Sequence, residues 1–312
     1  MKAEALTHLE PIFELHENDS FVELKDGISI CYRIYGQTGQ IDQPTVVLIA
    51  GLTLQLHYWV PEFVQPLLRE GYRVMVLDNR DIGRSTRHKS PPLKLKNLIF
   101  GKGRPDGYKL QDMAGDVIGV LDHLGIDQVH VVGMSMGGMI AQEFSAHHAH
   151  RALSLTSIFS TTGNKKVGQP SLKGKLKMMK ARPREREHGI AHYLDHAHFI
   201  AGNRYEVVEA TAKDYAAKAW DRGNGARAGA GISRQIGAIF NSGDRTSRLR
   251  QIKAPTLVIH GDKDPLVNPT GGYATANAIP KAKLVLVPGM GHYISAEVSP
   301  LLTDLLLGHV GR

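Results

Sequence analysis

Gln128-Val129-His130-Val131-Val132-Gly133-Met134-Ser135-Met136-Gly137 decides how this chain is read. An apolar run of strand type ends in Gly-x-Ser-x-Gly, and Met139 to Ser145 continues in a helical pattern. Glycines on either side of the serine suit a turn too tight for Cβ atoms against the neighbouring strand and helix. Such a turn presents a serine hydroxyl at the end of a sheet. Five letters do not suffice in a chain with 33 glycines. The strand before and the helix after make Ser135 a candidate nucleophile rather than a structural turn residue.

Outward from that turn the strand signature recurs. Thr45 to Ala50, Arg73 to Asp78, Ala152 to Ile158, Pro255 to His260 and Ala282 to Val287 are short apolar runs of the kind a strand buried on both faces requires. Phe21 to Tyr35 reads as two strands around Asp26-Gly27, a dipeptide suited to a tight hairpin turn. Between the runs lie helical patterns: Met113, Val117, Val120, Leu121 and Leu124 recur at helical spacing and Gly125 closes the segment. Strands alternating with helices predict an α/β fold with a mostly parallel sheet covered on both faces. Such sheets bind ligands outside the carboxyl ends of their strands, so the residues after each strand are the ones to inspect.

The alternation breaks between residues 161 and 247, where basic, alanine-rich, histidine-rich and glycine-rich helical segments follow one another. Turn residues mark both edges, at Ser160-Thr161-Thr162-Gly163 and Asn241-Ser242-Gly243. The expected organisation is a core of residues 1–160 and 248–312 with a helical insertion at 161–247.

A serine hydroxyl is a poor nucleophile and needs a base, and the base needs a group to orient it. After Leu257-Val258-Ile259 comes His260-Gly261-Asp262-Lys263-Asp264-Pro265, and after Leu284-Val285-Leu286-Val287 comes Pro288-Gly289-Met290-Gly291-His292. Of 16 histidines, His292 alone lies just past the final strand in a glycine-bounded loop, which makes it the expected base. Asp262 and Asp264 both compete for the acid, and Asp264, further around the loop, is favoured. Acyl transfer also needs donors for an oxyanion. The expected pair is the backbone N–H of Met136 and that of Leu52, in the turn after the Thr45 to Ala50 strand.

Together, Ala50-Gly51-Leu52, Asp78 to Ser85, Asp112-Met113-Ala114, the Ser135 turn, Gly261 to Asp264 and Gly291-His292 resemble the α/β-hydrolase superfamily, in its serine esterase-like branch of aclacinomycin methylesterase-type hydrolases. The resemblance implies an eight-stranded, mostly parallel sheet flanked by helices, with a helical cap inserted after strand 6. It also implies a triad of Ser135, Asp264 and His292 that needs no cofactor. Many members carry His-Gly where this chain has Ala50-Gly51, which removes a histidine's support from the oxyanion loop. Serine at the turn separates the chain from similar dehalogenases and epoxide hydrolases, which carry aspartate there. Asp78 to Ser85 is expected to brace the sheet edge, and Tyr193, Phe199, Trp220 and Phe240 are candidate liners of a pocket under the cap.

The net charge of +8 is local: Lys165, Lys166, Lys173, Lys175, Lys177, Lys180, Arg182, Arg184 and Arg186 face only Glu185 and Glu187 in that segment. A solvated helix face is the expected reading, ahead of a membrane-surface patch, and no nucleic-acid module accompanies it. His188, His192 and His196 fall four apart, but no convincing fourth ligand completes a metal site, so none is expected. Met1 to Phe13 lacks a secretory pattern, no window is apolar enough to span a membrane, and a lone Cys31 excludes an intrachain disulfide. A cytoplasmic hydrolase acting on a small-molecule carboxylic ester is expected, and a homo-oligomer is compatible with the sequence. Lactone, thioester or carbon-carbon bond hydrolysis would use the same parts. A non-catalytic ligand-binding protein that retains the pocket is the alternative from another class.

Overall fold

Each apolar run becomes a strand, because residues with β-branched and aliphatic side chains fill both faces of a buried sheet. A computed structural model describes residues 15–36, 43–178 and 183–311. Met1 to Phe13, Lys180 and Arg182, read above from sequence, lie outside the described residues. The strands are β1 (Ser20–Glu23), β2 (Ser29–Tyr35), β3 (Thr45–Ile49), β4 (Arg73–Leu77), β5 (Val129–Met134), β6 (Ala152–Ile158), β7 (Thr256–Gly261) and β8 (Lys283–Val287). They form one eight-stranded sheet in the order β1-β2-β4-β3-β5-β6-β7-β8. The first two junctions are antiparallel, and every junction from β4 to β8 is parallel. The expected tight hairpin at Asp26-Gly27 is instead a 3-10 turn over Lys25–Gly27, with Gly27 at φ +70°. It is closed by the Leu24 N–H donating to the Ile28 carbonyl at 2.6 Å.

Helices α1 (Pro61–Arg69), α2 (Leu95–Phe100), α3 (Leu110–His123) and α4 (Met136–His147) precede β6. Strand alternation divides the core. Val46 and Leu48 of β3 point to the face shared with Phe63 and Leu67 of α1, whereas Val47 and Ile49 point to Met113 and Val117 of α3 and Ile140 and Phe144 of α4. Between β6 and β7 come α5 (Leu172–Met178), α6 (Arg186–Ile200), α7 (Glu209–Ala219), a π-helical turn (Trp220–Asn224), α8 (Ala228–Ser242) and α9 (Thr246–Leu249). The chain ends with α10 (Thr270–Ala278) and α11 (Ser299–Val310), the latter packing beside α1.

Buried ion pairs bind the inserted helices to the loop after β4. Arg222 of the π turn reaches Asp78 at 3.0 Å and Asp19 at 2.6 Å, and Arg234 of α8 pairs with Asp81. Asp78 also accepts the N–H groups of Leu56 and Arg84, at 2.8 and 2.9 Å. Breaking one partner of such a pair leaves an uncompensated buried charge, so these contacts fix the insertion's position whatever their net contribution to stability.

The same region carries a pH dependence. Burial, helped by the neighbouring Arg222 charge, pushes the His57 imidazole down from 6.5 to about 4. A histidine depressed on folding stays neutral in the native state, so its contribution is full above the unfolded value and is lost as pH falls from 6.5 towards 4. His57 stacks on Tyr215 with ring centroids 4.8 Å apart. His57→Phe keeps a ring there and is expected to flatten the fall of Tm between pH 7 and about 4.5; equal slopes for variant and parent would contradict this.

Candidate active site

Ser135 sits between β5 and α4 at φ +54°, ψ −120°, a conformation uncommon for a residue with a side chain. The flanking glycines allow it. A Cβ on Gly133 would lie 2.2 Å from the Gly137 carbonyl oxygen, and one on Gly137 would lie 2.1 Å from that of Ile49. Two hydrogen bonds hold the turn: Ser135 N–H donates to the Ile158 carbonyl at 2.9 Å, and the Ser160 hydroxyl donates to the Ser135 carbonyl at 2.8 Å.

From that turn the Ser135 hydroxyl meets His292, with Oγ 2.9 Å from Nε2. On the far side of the ring, Nδ1 lies 2.6 Å from Asp264 Oδ2. A carboxylate only accepts, so Nδ1 carries the proton and Nε2 is left to accept from serine. Asp264 is buried and receives the Leu266 and Val267 N–H groups on Oδ1, each at 2.8 Å. Burial alone would raise its carboxyl. The attraction of His292 and hydrogen bonds from His260 and His292 outweigh that and hold it at about 2. Phe159 covers one side of the His292 ring with centroids 4.4 Å apart.

The turn after β3 runs alongside Ser135: a Cβ on Gly51 would be 3.2 Å from that of Ser135. Leu52 follows directly, and Met136 opens α4, where the first N–H groups of a helix have no partner within it. Ala50, directly before this glycine, offers the loop no polar side chain. Other groups brace the loop. Asn79 Nδ2 donates to the Ala50 carbonyl at 3.0 Å, Leu54 N–H to the Gly51 carbonyl at 3.2 Å, and Gln55 N–H to the Tyr215 hydroxyl at 3.0 Å.

The loop bearing His292 is held by the end of α6. His292 N–H donates to the Ile200 carbonyl at 2.6 Å, Gly291 N–H to Ala201 at 2.9 Å, and Asn203 N–H to Gly289 at 3.0 Å. Gly202 makes this docking possible: its φ is +97°, and a Cβ there would lie 2.3 Å from the Gly289 carbonyl oxygen. Gly202→Ala is therefore expected to displace His292 and lower kcat by about a hundredfold with KM little changed, since misplacements near 1 Å cost that much. Steady-state kinetics on p-nitrophenyl acetate checks this; an unchanged kcat would contradict it.

Sequence reading missed several of these partners. His260, next to last in β7, is fully buried, its Nε2 2.8 Å from the Val267 carbonyl and 3.4 Å from Asp264 Oδ2. The only signal was its place directly before Gly261. Ser160 and the α6 carbonyls gave none. Asp262, the competing acid, turns away and accepts the Gly289 N–H at 2.6 Å. Tyr193 lies against Tyr215 within the aromatic group that includes Tyr58 and Tyr293, the residue after His292. Trp220 differs from its expected role as a liner: a Cβ on Gly189 of α6 would lie 2.3 Å from its ring, so it packs between inserted helices. Phe199 lies beneath the Lys177 ammonium, 5.3 Å from ring centroid, and Phe240 is half-buried on α8. His188 and His198 face separate glutamates, Glu185 and Glu209, and no group of three metal-binding side chains occurs among the described residues. No described helix is long and apolar enough to cross a membrane.

A parallel sheet with serine on a strand-to-helix turn, and histidine and aspartate after later strands, defines a class of hydrolase folds. The family model described as "alpha/beta hydrolase fold" matches residues 44–297, and the chain belongs to that family of hydrolases. A proposed carbamate hydrolase of Stutzerimonas stutzeri is 27% identical over 282 residues, spanning 90% of this chain and 96% of that one. The bifunctional esterase/perhydrolase of Acinetobacter calcoaceticus is 26% identical over 92% of this chain and 98% of its own. The crystal structure of the enol-lactonase of Burkholderia xenovorans superposes with a TM-score of 0.67 at 22% identity, covering 94% of this chain and all of that one (100%).

Proposed function

We propose that the chain is a cofactor-free serine esterase acting on small-molecule carboxylic esters. The observation that carries this reading is the continuous hydrogen-bonded line from Ser135 Oγ through His292 to Asp264, with spacings of 2.9 and 2.6 Å. In this mechanism Ser135 Oγ attacks the ester carbonyl while His292 Nε2 takes its proton. The oxyanion accepts from the Leu52 and Met136 N–H groups. Collapse of the tetrahedral adduct expels the alcohol, protonated by His292, and leaves an acyl-enzyme. Water then attacks the acyl group with His292 again as base, releasing the acid and restoring Ser135. Asp264 keeps the imidazole in the required tautomer and stabilises its protonated form.

The esterase and methylesterase names among the relatives support an ester over other acyl groups; the latter include rhodomycin D methylesterase of Streptomyces peucetius, 25% identical over 85% of this chain. In the same reading the inserted helices between residues 161 and 247 act as a cap, with Tyr193 and Tyr215, in the aromatic group that includes Tyr293 next to His292 in sequence, shaping the substrate's surroundings. A series of p-nitrophenyl esters of increasing acyl length, tested with a lactone and a thioester, locates the preferred acyl donor. Ester turnover with an acyl adduct trapped on Ser135 by rapid quench is expected. Turnover of the thioester or lactone alone would overturn the ester assignment.

A further inference from the structure

We infer that α5, with its exposed leucines and lysines, forms a docking surface for an anionic phospholipid bilayer. Helix α5 is amphipathic with its apolar side turned outward. Its one buried residue is Gly174, set against the loop that follows Asp264, where Ser171 N–H donates to the Pro265 carbonyl at 2.9 Å. At about 100° per residue, Leu172 and Leu176 both lie about 160° from Gly174, at the outward apex, with Lys173 and Lys175 flanking them on either side. The exposures follow: Leu172 is 76% and Leu176 61% exposed, both lysines are exposed, and Met178 adds 56%. Among the described residues, Lys177 is engaged with Asp195 and Phe199.

A second segment repeats the pattern. Helix α2 exposes Phe100 (69%) and Leu98 beside the exposed Lys94, Lys96 and Lys102. No acidic residue occurs between Asp81 and Asp106, or between Glu143 and Glu185. Both segments leave the carboxyl edge of the sheet, and the chain after α2 and the chain before α5 each touch the region around the end of α8. There Asn241 Nδ2 donates to the Arg104 carbonyl at 2.9 Å, and Arg245 N–H to the Thr162 carbonyl at 2.8 Å. Two nearby acids are paired at the surface, Asp106 with Arg104 and Asp244 with Thr246 and Asn164.

The composition of the surface selects its occupant. Nucleic-acid phosphates would pair with the lysines but offer nothing to exposed leucine and phenylalanine side chains. A second copy would bring like charges together across the joint. An anionic lipid surface satisfies both components, since leucines enter the headgroup-acyl boundary while flanking lysines reach the phosphates. Docking does not rest on the ester reading, and it places the loop bearing Asp264 at the bilayer.

Cosedimentation of the full chain with phosphatidylcholine vesicles, with and without phosphatidylglycerol, tests it. Binding is expected only with phosphatidylglycerol and is expected to fall sharply at 1 M salt, where the screening length shrinks to about 3 Å. Leu172→Ser with Leu176→Ser should weaken partitioning about tenfold. Lys173→Gln with Lys175→Gln should weaken it about fivefold per charge. Both pairs should keep the parent's Tm and its turnover of soluble p-nitrophenyl acetate. Absence of binding to anionic vesicles would overturn the proposal, as would binding indifferent to the leucine pair. A dimer that the leucine pair converts to monomer would assign the surface to a second copy, and lysine-dependent retention of DNA without vesicle binding would assign it to nucleic acid.

Discussion

Ser135→Ala is expected to lower kcat for p-nitrophenyl acetate by about a millionfold, leaving only what oxyanion donors and substrate binding provide. In the proposed mechanism Ser135 is the nucleophile, and the described site offers no substitute for its hydroxyl. The Ser160 hydroxyl, beside the turn, donates to the Ser135 carbonyl and is fixed there. The substitution removes one oxygen from a half-buried position and keeps a Cβ, so the unusual backbone of the turn is no more strained than before. Tm is therefore expected to move little. A variant that retains activity within tenfold of the parent would place the chemistry elsewhere.

Asp264→Asn is expected to cost about ten thousandfold in kcat while preserving the fold. The shape of the side chain is unchanged, and its carbonyl can still accept the Leu266 and Val267 N–H groups. What fails is the tautomer. An amide nitrogen facing His292 Nδ1 is a donor and stabilises the ring form with its proton on Nε2, which cannot accept from Ser135. Because Asp264 is held at about 2, the parent keeps this carboxylate ionised throughout the working range, and activity lost above about pH 4 does not arise from it. The sign for stability follows: a depressed carboxyl contributes fully above its unfolded value near 4 and loses that contribution as pH falls towards 2. The asparagine variant should lack that component of acid destabilisation in melts between pH 4 and 2. A kcat within a few-fold of the parent would remove Asp264 from the mechanism.

Much of this geometry was legible along the chain because its causes are local. Parallel strands buried on both faces must be apolar, so β3, β4, β5 and β7 announce themselves as short aliphatic runs, and the Ser135 turn declares its crowding through Gly133 and Gly137. His292 and Asp264 could be chosen by position, since each follows a strand whose end lies at the carboxyl edge. What escaped reading depends on groups far apart in sequence. The Ile200 carbonyl meets the His292 N–H across 92 residues, and Arg222 meets Asp19 across 203. A backbone carbonyl has no letter of its own, and an arginine looks the same on a solvated face as in a buried ion pair. His260 escapes reading because a histidine within an apolar strand reads as packing until its ring is seen beside Asp264. Trp220, a candidate liner from sequence, instead fills the space that Gly189 leaves on α6.

The most direct test of the catalytic assignment is covalent labelling of the folded protein with a fluorophosphonate, followed by mass analysis of its peptides. One phosphonyl group per chain on the peptide containing Ser135, absent from Ser135→Ala, is the predicted result. Folded protein that stays unlabelled, or label that persists in Ser135→Ala, would contradict it.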